Sequence, residues 1–254
     1  MRQRIDINSD MGESFGAWDK GDDAAMLKIV SSANIACGFH AGDPNIMAQT
    51  FAIARDRNVA VGAHPGFPDL MGFGRRHIPY SIGEIERMVA YQIGAAQAMS
   101  DYVGHPITHV KAHGALGNLA QQDKAVARAL NNAIKAVDPA LICLAIALGH
   151  QARIGEEMGL TVVPEIFADR AYSDDGFLVP RGQKGALIHD PEEAGDRVVA
   201  MVSDGAIITV SGKRIETPMG SVCVHSDTPE ALLIAQTVRN KLEKNGFAVA
   251  NFIH

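Results

Sequence analysis

The sequence predicts an α/β fold in which a single domain, residues 1–254, forms an irregular β/α barrel of seven or eight strands. Three observations carry this expectation. Short β-branched or apolar runs alternate with longer stretches of helical period, which implies a mostly parallel sheet. Several helical stretches open on a capping residue followed by proline. Polar and charged side chains gather at the C-terminal ends of the runs, the rim where β/α barrels keep their active sites.

The strand candidates are residues 4–8, 33–37, 59–63, 107–112, 141–147, 161–165 and 221–225, with 247–251 as an eighth. Asp43-Pro44, Asp190-Pro191 and Thr228-Pro229 each set a capping side chain before a proline at the first helical position. Ser81 with Glu84 makes a capping box for a helix running to Tyr102. Residues 206–216, centred on Ser211-Gly212, read as an inserted hairpin. An open, doubly wound sheet is the alternative topology.

At 47% hydrophobic and 20% charged, a chain of 254 residues can bury one large core. Its net charge of −6, with no basic stripe, argues against nucleic acid as the main partner. No apolar run is long enough to span a bilayer, and MRQRIDINSD lacks the apolar core of a signal peptide. Cys37, Cys143 and Cys223 are an odd, widely spaced set in apolar segments. They read as buried, reduced thiols, and the expected location is the cytoplasm.

Side-chain parity carries more than the strand count does. Alternate residues on a strand face opposite ways, so Asp6, Asn8 and Asp10 oppose Ile5 and Ile7. His109, Lys111 and His113 likewise oppose Val110 and Ala112, and Cys223, His225 and Asp227 oppose Val222 and Val224. Helices cover the outside of a barrel, so the apolar parity faces them and the polar parity points inward. His40, His64 and Glu165, with Asp169 and Arg170 beyond it, stand at further strand ends. Burying such a ring without a use for it would be costly.

Individual segments suggest chemistry. Asp6 to Glu13 offers three carboxylates in a strand end and its loop, enough to raise one pKa or hold a divalent metal. Asn34 to Pro44 runs through two glycines to a helix N-terminus, a natural anion site with His40 beside it. Gly62-Ala63-His64-Pro65-Gly66 repeats that arrangement, and His64 is a base, a ligand or a substrate donor. Gly72-Phe73-Gly74-Arg75-Arg76 presents guanidinium forks suited to carboxylate or phosphate. On a strand His109 and His113 lie roughly 13 Å apart, too far to share a metal. The charged stretch 167–181 is long enough for a lid or a partner surface. Walker, nucleophile-elbow, zinc-cysteine and H-E-x-x-H patterns are missing, and Cys37, with no base in view, reads as a core thiol. From residues alone this is a hydrolase or lyase for a small anionic substrate.

These segments resemble the LamB/YcsF family, whose members are the A subunits of prokaryotic 5-oxoprolinase. The resemblance rests on DINSDMGESFG at 6–16, NIACGFHAGDP at 34–44 and VGAHPGFPDLMGFGRR at 61–76. It continues through VKAHGALGN at 110–118, EIFADRAYSDDGFLVPR at 165–181 and HSDTP at 225–229. The sequence departs from the family pattern where Ala112 replaces Pro, Gly117 replaces Tyr and Ser226 replaces Gly, while Lys111, His113 and Asn118 stand in place.

The resemblance implies ATP-driven opening of 5-oxo-L-proline to L-glutamate with partner subunits B and C. ATP and Mg would then be co-substrates of the complex, acting through the partners. It also implies a TIM-like barrel similar to those of polysaccharide deacetylases and glycoside hydrolases. On this view Arg75 or Arg76 holds the substrate carboxylate, and Asp10 with Glu13 supplies general base or acid. Lys111 and His113 steady an oxyanion or phosphate. His40 and His64 complete the site or, with Asp10, bind a metal. Asn8, Glu165, Asp169, Arg170, His225 and Asp227 are the remaining substrate-binding candidates. Two rival readings are a metal-dependent amidase or deacetylase acting alone on carbohydrate, and a scaffold that only tethers the partners.

Overall fold

The computed structural model describes residues 3–253. Its first half runs β1 (Arg4–Met11), α1 (Asp23–Met26), β2 (Ser32–Ala36), α2 (Pro44–Asp56), β3 (Ala60–His64), α3 (Ile82–Val103) and β4 (His109–Val110). Then come α4 (Gly114–Gln122), α5 (Lys124–Val137), β5 (Ile142–Ile146), α6 (His150–Glu157), β6 (Val162–Phe167) and α7 (Pro191–Asp204). The chain ends through β7 (Ala206–Ile208), β8 (Arg214–Glu216), β9 (Ser221–Cys223), α8 (Ala231–Lys244) and β10 (Ala248–Val249).

Seven parallel strands close a barrel in the order β1-β2-β3-β4-β5-β6-β9, with β9 returning to β1. That closure excludes the open sheet. β1 is long enough to serve three partners: Arg4 and Ile5 pair with β10, Asp6 to Asn8 with β9, and Asn8 to Met11 with β2. The eighth strand therefore extends the lower edge of β1 rather than joining the ring. β7 and β8 form the expected antiparallel hairpin, with Gly212 turning at φ +83°.

Helix starts follow local chemistry. Asp43 and Asp190 cap helices that open on Pro44 and Pro191, and Ser81 with Glu84 forms the capping box of α3. The start expected at Thr228-Pro229 lies later. Thr228 uses its carbonyl to receive the Ala231 N–H, so Pro229 belongs to a turn and α8 begins at Ala231. The strand expected at 107–112 shrinks to a two-residue ladder. Beyond it the chain stays extended, with Lys111 and His113 donating backbone N–H groups to Ala63 and Pro65, so the parity survives.

Apolar parity faces the helices: Ile7, Ile35, Val61, Val110, Ile166 and Val222 are buried there. The inside of the barrel is polar yet equally buried. Asp6 accepts from Ser31, Ser32 and Ser221, and Asn34 donates to Asn8 and Asp10. His109 bonds Asn34 at 2.9 Å and Thr108 at 2.9 Å, and burial, then the charge of Lys111, press it down to about 3. It is a neutral part of this packing. Among the described residues no helix is long and apolar enough to cross a membrane.

Burial pushes the Asp6 carboxyl up to about 6, with the three serine hydroxyls pulling the other way. The folded state thus holds this proton more tightly than the unfolded chain, and stability falls as pH rises from about 4 to about 6. A rise of that size corresponds to about 3 kcal/mol lost by pH 7. Asp6→Asn is expected to remove this part of the slope, read from urea unfolding at pH 4.5 and pH 7. A variant with the parent's slope would place the titration elsewhere.

Candidate active site

The centre of the barrel is the ammonium of Lys111. Its Nζ stands 3.0 Å from Asp10, 3.1 Å from Glu165, 3.1 Å from Asn8 and 3.0 Å from the sulfur of Cys223. These groups come from β1, β6 and β9, so the contact exists only in the closed ring. Burial pulls Lys111 down, but the charge of Asp10, the accepting sulfur of Cys223 and Glu165 outweigh it and hold the ammonium well above the usual lysine range.

The two carboxylates are not equivalent. Burial pushes Asp10 up, yet the charges of His64 and Lys111 outweigh it and hold the group well below the ordinary range. For Glu165 burial wins over Lys111 and the carboxyl is raised. Asp10 is the ionised partner and Glu165 the readier proton carrier, a division seen where acid and base roles are separated. Burial also raises the Cys223 thiol, which therefore keeps its hydrogen.

Above this centre opens a cavity of about 400 Å³. Asp10, Lys111 and Glu165 form its base, with Arg75 and His113 on one side and Arg170, Arg181 and His225 on another. Arg75 bonds Asp227 at 2.7 Å, and the other Asp227 oxygen is buried without a partner. Arg170 gives one N–H to the carbonyl of Val179, while its Nε has no partner. Burial and then the neighbouring charge of Arg181 press Arg170 down to about 10, and burial followed by Arg75 lowers Arg181. Three guanidiniums that repel one another across a partly enclosed cavity are arranged to receive an anion. His225 is held by Asp169 at 2.8 Å and stacks on Phe167.

The stretch after β6 reaches the rim because its far side is pinned. Tyr172 receives the Phe167 backbone N–H on its hydroxyl, and Asp174 accepts from Thr209 and Ser211 of the hairpin. This folds Leu178, Pro180 and Arg181 over the cavity.

Beside the cavity, Glu13, His40, His64 and His113 converge, each with a donor atom within 4.8 Å of the others. His40 stacks flat on His113, ring centroids 3.7 Å apart. Two glycines make room: a Cβ on Gly66 would lie 2.6 Å from His40 Nδ1, and one on Gly74, at φ +61°, 2.6 Å from His40 Cβ. Burial, followed by Asp10 and Asp227, raises Glu13 well above the carboxylate range. Burial and neighbouring imidazoles keep His40 and His113 far below theirs. Asp10 touches this group through His64 at 3.2 Å but is not a member; it forms a second potential donor set with Cys223 and His225.

The structure thus gathers Asp10, Lys111, His113, Arg75, Glu165, Arg170 and His225 around one space. Asn8, Asp169 and Asp227 stand one layer behind, bonded to groups that line it. Arg76 is corrected. It turns away to pair with Asp69, and its side chain is 67% exposed. Sequence reasoning missed Arg181, although it ends the FLVPR segment. It placed Cys223 on the inward parity as a buried thiol but gave it no part in the site, where its sulfur meets Lys111. Gly117, one of the departures, has its own logic: a Cβ there would lie 2.7 Å from the Ala112 carbonyl, so positions 112 and 117 pack as a unit on the cavity wall.

A profile of the LamB/YcsF family matches residues 5–254. The chain is 58% identical over 248 residues to the 5-oxoprolinase A subunit of Azorhizobium caulinodans, covering 98% of each. It is 58% identical over 245 residues to the protein of the same name from Gluconobacter oxydans, covering 96% of each. The solved lactam utilization protein from Thermus thermophilus superposes with a TM-score of 0.92 at 42% identity, covering 98% of this chain and 100% of that one. The catalytic domain of a peptidoglycan N-acetylglucosamine deacetylase from Eubacterium rectale gives 0.53 at 9% identity, covering 100% and 90%, a likeness of fold alone.

Removing one partner from a buried ion cluster costs roughly 3–5 kcal/mol, because the remaining charges are left uncompensated. Lys111→Met is expected to lose stability in that range at pH 7 by urea unfolding. Adding Asp10→Asn should recover part of the loss, since the stranded carboxylate is gone. A single-variant cost below about 1 kcal/mol would show that the cluster is not buried as described.

Proposed function

The chain belongs to the LamB/YcsF family, and on that premise we propose that it is the A subunit of an ATP-dependent 5-oxoprolinase, opening 5-oxo-L-proline to L-glutamate together with subunits B and C. The observation that carries this reading is the meeting of an ionised Asp10 with Lys111 and three guanidiniums in one cavity. We read residues 1–254 as one catalytic domain working in the cytoplasm, where ATP is at hand and three buried free thiols persist.

An unstrained lactam resists hydrolysis. On this reading a partner subunit moves the γ-phosphoryl group of MgATP onto the amide oxygen, and this chain receives the activated ring. Water adds to the ring carbon as Asp10 takes its proton and the C=N electron pair moves onto the ring nitrogen, while Lys111 steadies the oxygen that carries the phosphoryl group. The C–N bond then breaks, with Glu165 as the proton source for the departing nitrogen. A second water releases phosphate, so one ATP and two waters yield glutamate, ADP and phosphate. Arg75 takes the substrate carboxylate; Arg170 and Arg181 suit the phosphoryl group. Asn8, Asp169, His225 and Asp227 hold these residues in place.

The depressed basicity of Asp10 has a purpose here. An anion bound beside Lys111 withdraws part of the charge that stabilises the carboxylate, and Asp10 becomes a better base once substrate is present.

The test is glutamate release from 5-oxoproline, ATP and Mg²⁺ by this chain with and without its B and C partners. Release only from the full set supports the reading, and none from properly folded subunits sinks it. Turnover without ATP would favour the metal-dependent amidase or deacetylase. Asp10→Asn is expected to cut release by roughly 10²–10⁴-fold with assembly intact; full activity would remove Asp10 as the base. Arg75→Lys, which loses the two-point fork, should raise KM for 5-oxoproline more than it lowers kcat.

A further inference from the structure

His64 Nδ1 lies 2.7 Å from the carbonyl oxygen of Lys111, and His113 Nε2 lies 2.8 Å from that of Phe73. A carbonyl oxygen only accepts, so both of these nitrogens carry hydrogen. With both rings neutral, the opposite nitrogens would be bare lone pairs, and they face each other at 3.0 Å. Two acceptors at hydrogen-bond distance with no proton between them repel. Around the same point, Glu13 Oε1 and both ring nitrogens of His40 are buried without a hydrogen-bonding partner. A doubly protonated His64 could donate to His113 or to Asp10, not both, and would leave Glu13 and His40 unmatched.

We propose that Glu13, His40, His64 and His113 are the ligands of a divalent transition metal, zinc by the chemistry of three imidazoles and one carboxylate. A tetrahedral ion with bonds of about 2.0–2.1 Å separates its ligand atoms by about 3.3 Å. The observed separations are 3.0 Å between His64 and His113, 3.5 Å between His40 and Glu13, and 3.6 Å between His113 and Glu13. The backbone carbonyls of Lys111 and Phe73 are the outer partners that orient a metal-bound histidine and fix its tautomer. Gly66 and Gly74 let the backbone close against His40, and its ring, stacked on His113, tilts on binding to bring both lone pairs onto one ion. Four protein donors leave no open position, and the ion fastens the ends of β1, β3 and β4 and the loop after β2. Through Phe73 it also holds the loop that carries Arg75. The site is separate from the Mg²⁺ that accompanies ATP, and it stands whether or not the proposed reaction does.

The experiment uses untagged full-length chain purified without chelator. Elemental analysis is expected to find about one zinc per chain. Stripping with dipicolinate should lower Tm, and added Zn²⁺ should restore it. With Co²⁺ in place of zinc, visible bands of tetrahedral intensity are expected without a near-ultraviolet thiolate band. Glu13→Gln and His40→Asn should each weaken Co²⁺ binding by more than the roughly 10–100-fold that loss of an outer partner costs. A thiolate band, or metal lost in Cys223→Ser and kept in Glu13→Gln, would move the ion to Asp10, Cys223 and His225 and overturn the assignment. Folded wild-type chain that holds no metal and shows neither a Co²⁺ spectrum nor a Tm response to Zn²⁺ would overturn it equally.

Discussion

One buried ammonium organises this molecule. Lys111 is almost fully enclosed, and a charge in that position survives only if several strands deliver partners to it at once. Asp10 and Asn8 arrive from β1, Glu165 from β6 and Cys223 from β9. The requirement reaches back into the strands themselves. Each must present its polar parity inward at the right level, and β9 must close against β1 for the last contacts to form. The inward polar layers below, Asp6 with its serines and Asn34 with His109, continue the same hydrogen-bonded packing to the floor of the barrel.

Charge is distributed in two compartments that share a wall. On the cavity side the guanidiniums outnumber the ionised acids, and the imbalance suits an incoming anion. On the other side three imidazoles and a carboxyl with a raised pKa sit buried together. His113 belongs to both, lining the cavity while its Nδ1 faces Glu13. Asp10 does likewise, with one oxygen toward Lys111 and the other toward His64. Events in either compartment are therefore felt at the same carboxylate.

Much of this was legible in the residues because it rests on local rules. Parity along β1 and β4 placed Asp10, Lys111 and His113 on one face, and capping chemistry marked α2, α3 and α7. What stayed hidden depends on contacts far apart in sequence. Arg75 and Arg76 are indistinguishable as neighbours in a chain; Asp227 and Asp69, reached only by folding, send them in opposite directions. Arg181 reaches the cavity because a hairpin some thirty residues later pins the loop before it. The convergence of Glu13 with three histidines needs four separate segments and two glycines, and no single motif announces it.

The three-partner arrangement of β1 has a consequence for how the chain comes to be. During synthesis β1 emerges early, and β2 can cover one of its edges soon afterwards. Its other edge waits for β9, which follows roughly two hundred residues later. At about 5–20 residues per second that is a delay of roughly 10–40 s. Through this interval an unpaired strand edge carrying Asp6 and Asp10 stays exposed, and Lys111 has only part of its shell. The barrel is thus a fold of high contact order, whose acidic first strand resists apolar self-association while it waits for the residues that complete it.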